Sequence, residues 1–248
     1  MTKNVLTCNL SEPLNGATSA KVDINTDSGN LMIDRLAGGE QVLASGALQY
    51  LENQGPPTRT LNTSDGHATL TLRGGDAGRP WFRFPWATCN GAFEWHVHLN
   101  PTVSSEITAH SGGGNVKLNL TGMAVTRVSA DSGGGNMDVV LPDNAADLCV
   151  TAKTGAGNVT VEIGSGVTGS NTVDANSGAG NVVVRVPSGI AAKVHATSGM
   201  GKVIVDSRFG KIDSHTYQSP DYDGAANKVE ITVNSGAGNV SVNTKVAR

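Results

Sequence analysis

Apolar and polar residues alternate in short segments over most of this sequence, and a glycine-rich hexapeptide joins the segments in pairs. The hexapeptide occurs six times, at 111, 132, 154, 177, 198 and 235, as SGGGNV, SGGGNM, TGAGNV, SGAGNV, SGMGKV and SGAGNV. Strict alternation is typical of a β-strand with one buried and one solvated face. The pattern predicts strands on both sides of each hexapeptide, with these residues pointing inward after it: Val116, Leu118, Leu120, Met137, Val139, Leu141, Val159, Val161, Ile163, Val182, Val184, Val186, Val203, Val205, Val240 and Val242.

The fifth position of the hexapeptide recurs at intervals of 21, 22, 23, 21 and 37 residues. A period in the low twenties is typical of a solenoid, in which one coil cannot bury its apolar face alone and stacked coils form a continuous core. We therefore predict an all-β, single-domain β-solenoid with coils of about 21–23 residues. The glycines suit a corner between two strands. The fifth position is expected to form a hydrogen-bonded ladder of asparagines that Lys202 interrupts: Asn115, Asn136, Asn158, Asn181 and Asn239.

The part of the chain before the hexapeptides has the same alternation of apolar residues but less regular turn sequences between the strands, as in TDSGN at 26–30 followed by Leu31 and Ile33. No linker separates the two parts, so one domain over 1–248 is expected, with N-terminal coils in 1–105 and regular coils in 106–248. The long interval contains an insertion at 207–227. The final coil is expected at or near an edge of the stack, where self-association is possible because a terminal strand has unpaired backbone groups.

Two binding functions of glycine-rich loops do not fit the hexapeptide. A phosphate-binding loop needs a following helix and a Lys-Ser or Lys-Thr ending, whereas Lys202 precedes Val203 and every copy leads into a strand. A calcium-binding nonapeptide repeat needs a regular aspartate and a period of nine, and neither is present.

Net charge and hydropathy argue against two further functions, nucleic-acid binding and membrane insertion. The net charge is −3 with 16 % charged residues, which argues against nucleic-acid binding. The sequence has no signal-peptide pattern at its start and no apolar run near the ~18 residues that span a bilayer, so no membrane insertion is expected. As written the chain reads as cytoplasmic, a location compatible with peripheral association with the cell envelope. Cys8, Cys89 and Cys149 are too far apart for a zinc knuckle.

A weak metal-site candidate lies on the segment FEWHVHL at 93–99. Glu94, His96 and His98 occupy one face of this predicted strand, and two histidines at i and i+2 can bind zinc together. The alternative is that the three residues form the solvated face of an amphipathic strand. No fourth ligand is near in sequence, so no metal is assigned.

Two segments are candidate interaction surfaces. The run RPWFRFPW at 79–86 contains Trp81, Phe82, Phe84 and Trp86, which suit either sugar or protein contact, or a cap over one end of the solenoid. The insertion contains Tyr217, Asp221, Tyr222 and Asp223 and is either a partner-binding loop or an ordered hairpin without a binding role.

Catalysis has little support in the sequence. Asp and Glu residues fall at non-equivalent positions of the repeats, and no local motif pairs a nucleophile with a base. The prediction is a non-enzyme without a cofactor.

Several segments resemble a known family. They are DSGNLMIDRLAGGEQVLASGALQY at 27–50, the stretch from HVHLNP at 96 through SGGGNMDVVLP, VPSGIAAKVHATSGMGKVIV at 186–205, and YQSPDYDGAANKVEITVNSGAGNVSV at 217–242. Over most of its length the chain resembles the toast-rack domain of LiaF-type proteins, which respond to cell-wall-active antibiotics, and related adhesin-like domains. The resemblance implies a stacked β architecture, usually non-enzymatic and often attached to membrane helices or signalling partners. No membrane helix is expected in this sequence, which departs from that pattern.

Together these observations predict a non-catalytic structural or protein-interaction module linked to the bacterial cell envelope or its stress response. Its expected partner is another protein or a second copy of the chain. The alternative is a carbohydrate-binding or adhesin domain that uses the aromatic run.

Overall fold

The structure is a computed structural model that describes residues 4–38, 41–74 and 93–245. Two short 3-10 helices, Glu52–Gln54 and Tyr222–Gly224, accompany the strands. The strands are β1 (Val5–Pro13), β2 (Ser19–Asn25), β3 (Asn30–Arg35), β4 (Val42–Leu51), β5 (Thr58–Ser64), β6 (His67–Arg73), β7 (Glu94–Leu99), β8 (Ser104–Ser111), β9 (Val116–Asn119), β10 (Val125–Gly134), β11 (Met137–Val140), β12 (Cys149–Ala156), β13 (Val159–Glu162), β14 (Ser170–Ala179), β15 (Val182–Pro187), β16 (Ala191–Ser198), β17 (Val203–Val205), β18 (Gly210–Lys211), β19 (Thr216–Gln218), β20 (Lys228–Ala237) and β21 (Val240–Lys245).

The strands form two long sheets, and each regular coil contributes one strand to each sheet. Sheet A has the order β1-β4-β7-β3-β9-β11-β13-β15-β21-β17. Sheet B has the order β18-β19-β16-β20-β14-β12-β10-β8-β2-β6-β5. Neighbouring coils pair in parallel, and antiparallel pairs occur only toward the ends of the sheets among the described strands. The predicted stacked β-solenoid is confirmed, and both sheets contain strands from both parts of the chain.

The core lies between the two sheets. Val116 and Val159 are 1 % and 0 % exposed, whereas Lys117 next to Val116 faces solvent. Small residues before the corner, such as Ala130 and Ala152, are also buried and belong to the same continuous apolar cluster. The alternation in the sequence therefore identified the inward face correctly.

The corners stack so closely that glycine is required at the second and fourth positions of the hexapeptide. A Cβ on Gly133 would lie 2.3 Å from the carbonyl oxygen of Gly112 in the neighbouring coil, and one on Gly180 would lie 2.0 Å from that of Gly157. The first position contributes a hydroxyl to the same contact. Ser132 Oγ donates to Gly114 O at 2.9 Å. The same bond recurs in the other coils, at Ser111, Thr154, Ser177, Ser198 and Ser235.

The asparagines at the fifth position form the expected ladder along the outside of the corner. In each step a side-chain Oδ1 accepts a hydrogen bond from the backbone N–H of the next coil, as from Asn158 to Asn136 at 3.0 Å. The ladder begins one coil earlier than the hexapeptides indicate, because Asn30 accepts from Asn115. Lys202 is the last step and not an interruption: its N–H donates to Asn239 Oδ1. A side-chain acceptor is not needed at the end of the column, which explains the lysine.

Replacing Asn158 by alanine is expected to lower the free energy of unfolding by about 1 kcal/mol, because the N–H of Asn181 loses its acceptor at a partly solvated site. Lys202→Asn, at the end of the ladder, is the matched control and is expected to change stability by less than about 0.5 kcal/mol. Urea unfolding of the two variants measures both values. Equal losses of unfolding free energy in the two variants would contradict the position of Lys202 at the end of the ladder.

The order of coils in space differs from their order in sequence at both ends. The first coil, β2 and β3, lies between β6 and β8 in sheet B and between β7 and β9 in sheet A. The last coil, β20 and β21, lies between β14 and β16 in sheet B and between β15 and β17 in sheet A. The final coil is thus near an edge, as expected, but it is not at the edge. The coil of β16 and β17 covers it.

The insertion at 207–227 extends sheet B beyond this terminal coil. Its strands β18 and β19 form an antiparallel pair, and β19 pairs with β16. The Arg208 guanidinium donates to the carbonyl oxygens of Pro187 and Ile190 at 3.1 Å each, and burial lowers its pKa. Asp206 accepts from the backbone N–H groups of Arg208 and Thr244, which hold the pKa of its carboxyl below the usual range. These bonds hold the insertion at 207–227, which we call the cap, against both β15 and β21.

Candidate functional site

The most chemically distinctive group on the described surface is a carboxylate between two imidazoles. Asp34 Oδ2 lies 2.9 Å from His96 Nε2, and Asp34 Oδ1 lies 2.5 Å from His98 Nδ1. The two imidazole ring centroids are 4.1 Å apart. One ligand atom from each residue lies within 4.8 Å of the others, the only such group of three potential metal ligands in the ranges 4–38, 41–74 and 93–245.

Strand pairing explains why these side chains meet. His96 and His98 alternate with the buried Trp95 and Val97 along β7, so both rings project from the outer face of sheet A. β3 pairs with β7 in parallel, and the register places Asp34 opposite His98. The site is therefore built on two strands that each have a paired neighbour on both sides.

The cluster is half-buried and open to solvent on one side. The side chains of His96, His98 and Asp34 are 36 %, 33 % and 21 % exposed. On the far side of β7, the residues opposite the two histidines are the small Ala47 and Ser45 of β4. A cleft of about 410 Å³ adjoins the cluster and is lined by Asp34, Arg35, Leu36, Ala37 and His98.

The metal-site candidate from the sequence is thus assembled differently from the expectation. Glu94 is opposite Asn30 in the β3–β7 register and is exposed, and it is not in the three-residue group. Asp34 takes its place. Sequence reasoning missed Asp34 because it lies 62 residues before His96. The signal that could have found it is the weak repeat in which LMID at 31–34 matches WHVH at 95–98.

The aromatic interaction candidates Trp81, Phe82, Phe84 and Trp86 lie outside the described residues. Two neighbouring aromatics are described and belong to the core. Phe93 and Trp95 are 5 % and 3 % exposed, and the indole N–H of Trp95 donates to Gln49 O at 2.9 Å.

The insertion candidates lie in the cap of sheet B. Tyr217 is in β19, packs partly against the core and has Lys211 Nζ 5.9 Å from its ring centroid. Tyr222 has Lys228 Nζ at 5.2 Å, and burial raises the pKa of its phenol. The remaining contacts tie the acidic candidates into the same cap: Gln218 Nε2 donates to Asp223 Oδ2, and Asp221 is a charge neighbour of Arg208.

Exposed large apolar side chains in the described part of the chain occur only at the two ends of the stack. Val5 and Leu6, 50 % and 40 % exposed, are in β1 at one edge of sheet A. The others belong to the terminal coil and its cap: Met200 at 83 %, Ile204 at 54 % and Ile212 at 63 %. Between the two ends, apolar side chains on the outer face of sheet A, such as Met32, Val140 and Val183, are only partly exposed.

Family models match both parts of the chain. The model for the N-terminal domain of toast_rack, DUF2154, matches residues 2–162. The chain belongs to the toast-rack family. A second model, "Cell wall-active antibiotics response LiaF, C-terminal", matches residues 150–242. The family resemblance inferred from the sequence is thereby confirmed. None of the curated proteins matches.

The chain is also similar to solved structures. A Clostridium sporogenes protein described as "a putative cell adhesion protein" is 22 % identical to this chain. The similarity covers 98 % of this chain and 100 % of that protein, with a TM-score of 0.65. A Bacteroides fragilis protein described as "a putative adhesin" is 13 % identical over 97 % of this chain and 98 % of its own, with a TM-score of 0.33. The first similarity supports the fold, and the second is too weak to carry an argument. These matches are named for adhesion or antibiotic response and not for an enzymatic reaction.

No helix in the described ranges has both the length and the apolar character needed to cross a bilayer.

Proposed function

We propose that this toast-rack chain is a non-catalytic interaction module of the bacterial cell envelope that associates with a second copy of itself through the ends of its stack. The match to a LiaF-type C-terminal domain and the structural similarity to a cell adhesion protein support the envelope context. The confinement of exposed apolar side chains to the two ends carries the proposal for how it associates.

The C-terminal end has the features of a strand-pairing surface. β17 has a paired neighbour, β21, on one side only among the described strands. Val240 N donates to Lys202 O, and Asp206 N donates to Val242 O, so the even-numbered residues of this segment direct their backbone groups toward β21. In a parallel pair the alternate residues point the other way. The N–H and C=O groups of Val203 and Val205 therefore face the open edge.

The opposite end of sheet A offers a complementary surface. β1 pairs with β4 on one side, and its first residues expose Val5 and Leu6. An edge strand with apolar side chains can pair with another edge, and a sheet with two such edges can pair with a copy of itself. Head-to-tail contact between β17 and β1 would extend sheet A from one copy to the next, whereas a two-fold contact between two β17 strands would close as a dimer.

Ile204→Lys tests this association, because a charge on an edge strand disfavours pairing. Ile204 is exposed and its side chain projects from the outer face of sheet A into solvent, so the fold is expected to be retained. Light scattering across a concentration range should detect oligomers of the unmodified chain and a monomer for Ile204→Lys. Thr160→Lys, in the middle of the same sheet at β13, is the control and should associate like the unmodified chain. A strict monomer at high concentration, or equal association of both variants, would contradict the proposal.

A second candidate is glycan binding by the aromatic run, favoured by the concentration of Trp and Phe at 79–86. Aromatic rings can stack on sugars and contribute a large apolar contact. A glycan array should then show binding that Trp81→Ala and Trp86→Ala remove. Binding that survives both substitutions would assign the glycan contact to another surface.

A further inference from the structure

We propose that Asp34, His96 and His98 form a zinc-binding site on the outer face of sheet A. This inference concerns a ligand that neither the family match nor the structural similarity assigns, and it does not depend on association through the stack ends.

The donor set suits a borderline divalent transition metal. Two imidazole nitrogens and one carboxylate oxygen are one of the ligand sets of zinc sites that keep an open position. Hard cations such as Ca²⁺ and Mg²⁺ prefer sets made only of oxygen. The group consists of Asp34, His96 and His98, and the nitrogens directed at the carboxylate are His96 Nε2 and His98 Nδ1.

The geometry needs little adjustment to accept the ion. Ligand atoms at Zn–N and Zn–O distances near 2.1 Å lie about 3.4 Å from each other in a tetrahedral site. Asp34 Oδ2 lies 2.9 Å from His96 Nε2, and the other carboxylate oxygen, Oδ1, lies 2.5 Å from His98 Nδ1. One ligand atom from each of the three residues lies within 4.8 Å of the others. Because these atoms are at most 4.8 Å apart, we expect side-chain rotation to bring them to the tetrahedral separation of about 3.4 Å.

The nitrogens that donate to Asp34 can also coordinate an ion after a change of tautomer. Asp34 accepts through both carboxylate oxygens, Oδ2 from His96 Nε2 and Oδ1 from His98 Nδ1, which requires a proton on each of these nitrogens. To coordinate zinc through His96 Nε2 and His98 Nδ1, each neutral ring carries its single proton on its other nitrogen, Nδ1 of His96 and Nε2 of His98, so no proton has to leave the rings. The single aspartate then balances half of the ion's charge, and both rings remain neutral.

The surroundings leave room for a fourth ligand. Ala47 and Ser45 on β4 are too small to cover the rings, and the cleft of about 410 Å³ opens beside Asp34 and His98. A water molecule can complete the tetrahedron there. Because β3 and β7 each pair on both sides, the backbone holds the ligands in place before the ion arrives.

The test is zinc binding by tag-free, metal-stripped protein, followed by calorimetry and by elemental analysis after dialysis. One zinc ion per chain is expected. His98→Ala and Asp34→Asn should each weaken binding by more than the roughly 10–100-fold that loss of an outer-shell partner costs. Both positions are on the outer face, so the unfolding curves of the variants should remain near those of the unmodified chain.

Two controls separate the site from general histidine affinity. His110 lies 3.2 Å from Asp131 as an exposed His–Asp pair on sheet B without a second imidazole, so His110→Ala should bind zinc normally. Glu94→Gln should do the same, because Glu94 is outside the cluster. Substitution of Co²⁺ gives an independent readout, since a tetrahedral ion has a strong visible absorption that His98→Ala should abolish.

The proposal is overturned if the unmodified chain binds no zinc, if His98→Ala and Asp34→Asn bind as well as it does, or if His110→Ala loses binding to the same extent.

Discussion

Gly180→Ala is expected to destabilise the fold by roughly 3–5 kcal/mol or to prevent folding. The added Cβ would lie 2.0 Å from the carbonyl oxygen of Gly157 and 2.5 Å from its carbonyl carbon. Both contacts are with backbone in the neighbouring coil, so no side chain can move aside. Gly180 also has φ +151°, a conformation that alanine rarely adopts.

The spacing of the coils makes this clash hard to relieve. Gly180 N donates to Ala237 O at 2.9 Å on one side of the corner, and Gly157 N donates to Ala179 O at 2.9 Å on the other. Moving the corner away from Gly157 would stretch the bond from Gly157 N to Ala179 O and compress the one from Gly180 N to Ala237 O, between strands that normally lie about 4.8 Å apart. The strain would therefore spread through the column of corners.

Gly189→Ala is the matched control, because a Cβ there has no heavy atom within 4 Å. It is expected to change the free energy of unfolding by no more than about 0.5 kcal/mol. Chemical denaturation of the two variants measures the difference. A Gly180→Ala protein as stable as Gly189→Ala would show that the corners can separate.

The sequence was sufficient to predict, within each coil, which residues point inward and where the glycine corner lies. Alternation with a period of two identifies which residues point inward, because a strand can bury only one of its faces in the core. The recurrence of glycine and asparagine at fixed positions predicted both the corner and the ladder. These features repeat in each coil, so each copy is independent support for the same local structure.

The order of the coils could not be predicted in the same way. The hexapeptides at 198 and 235, SGMGKV and SGAGNV, have the same serine, glycines and valine, and by this pattern either can pair with the coil at 177. Only the stacked structure shows that Asn239 follows Asn181 in the ladder and that Lys202 follows Asn239. The lysine is the one local sign of this order, and without the structure it reads as an interruption.

The candidate metal site was only half predicted for a related reason. The pair His96 and His98 is visible within one strand, since alternate residues share a face. Its third member, Asp34, depends on which strand lies beside β7. That neighbour is β3 because the first coil inserts between later ones, a long-range pairing that local periodicity does not encode.

The position of the last coil within the stack leads to the second prediction of a large loss of stability. Val242 in β21 and Val205 in β17 are opposite each other in a parallel pair. Val242 is 0 % exposed, whereas Val205 is only partly buried because its strand is the edge of sheet A. The residue nearer the C-terminus of the chain is therefore the more deeply packed of the two.

Val242→Ala is accordingly expected to cost roughly 2–3 kcal/mol, since the lost methyl groups leave a cavity that closely packed neighbours cannot fill. Val205→Ala removes the same atoms beside solvent and is expected to cost about 1 kcal/mol or less. Urea unfolding of both variants gives the comparison, and hydrogen exchange adds a direct readout: amides of β21 should exchange more slowly than those of β17. If Val205→Ala cost as much as Val242→Ala, and β21 exchanged as fast as a fraying terminus, the final coil would have to lie at the end of the stack.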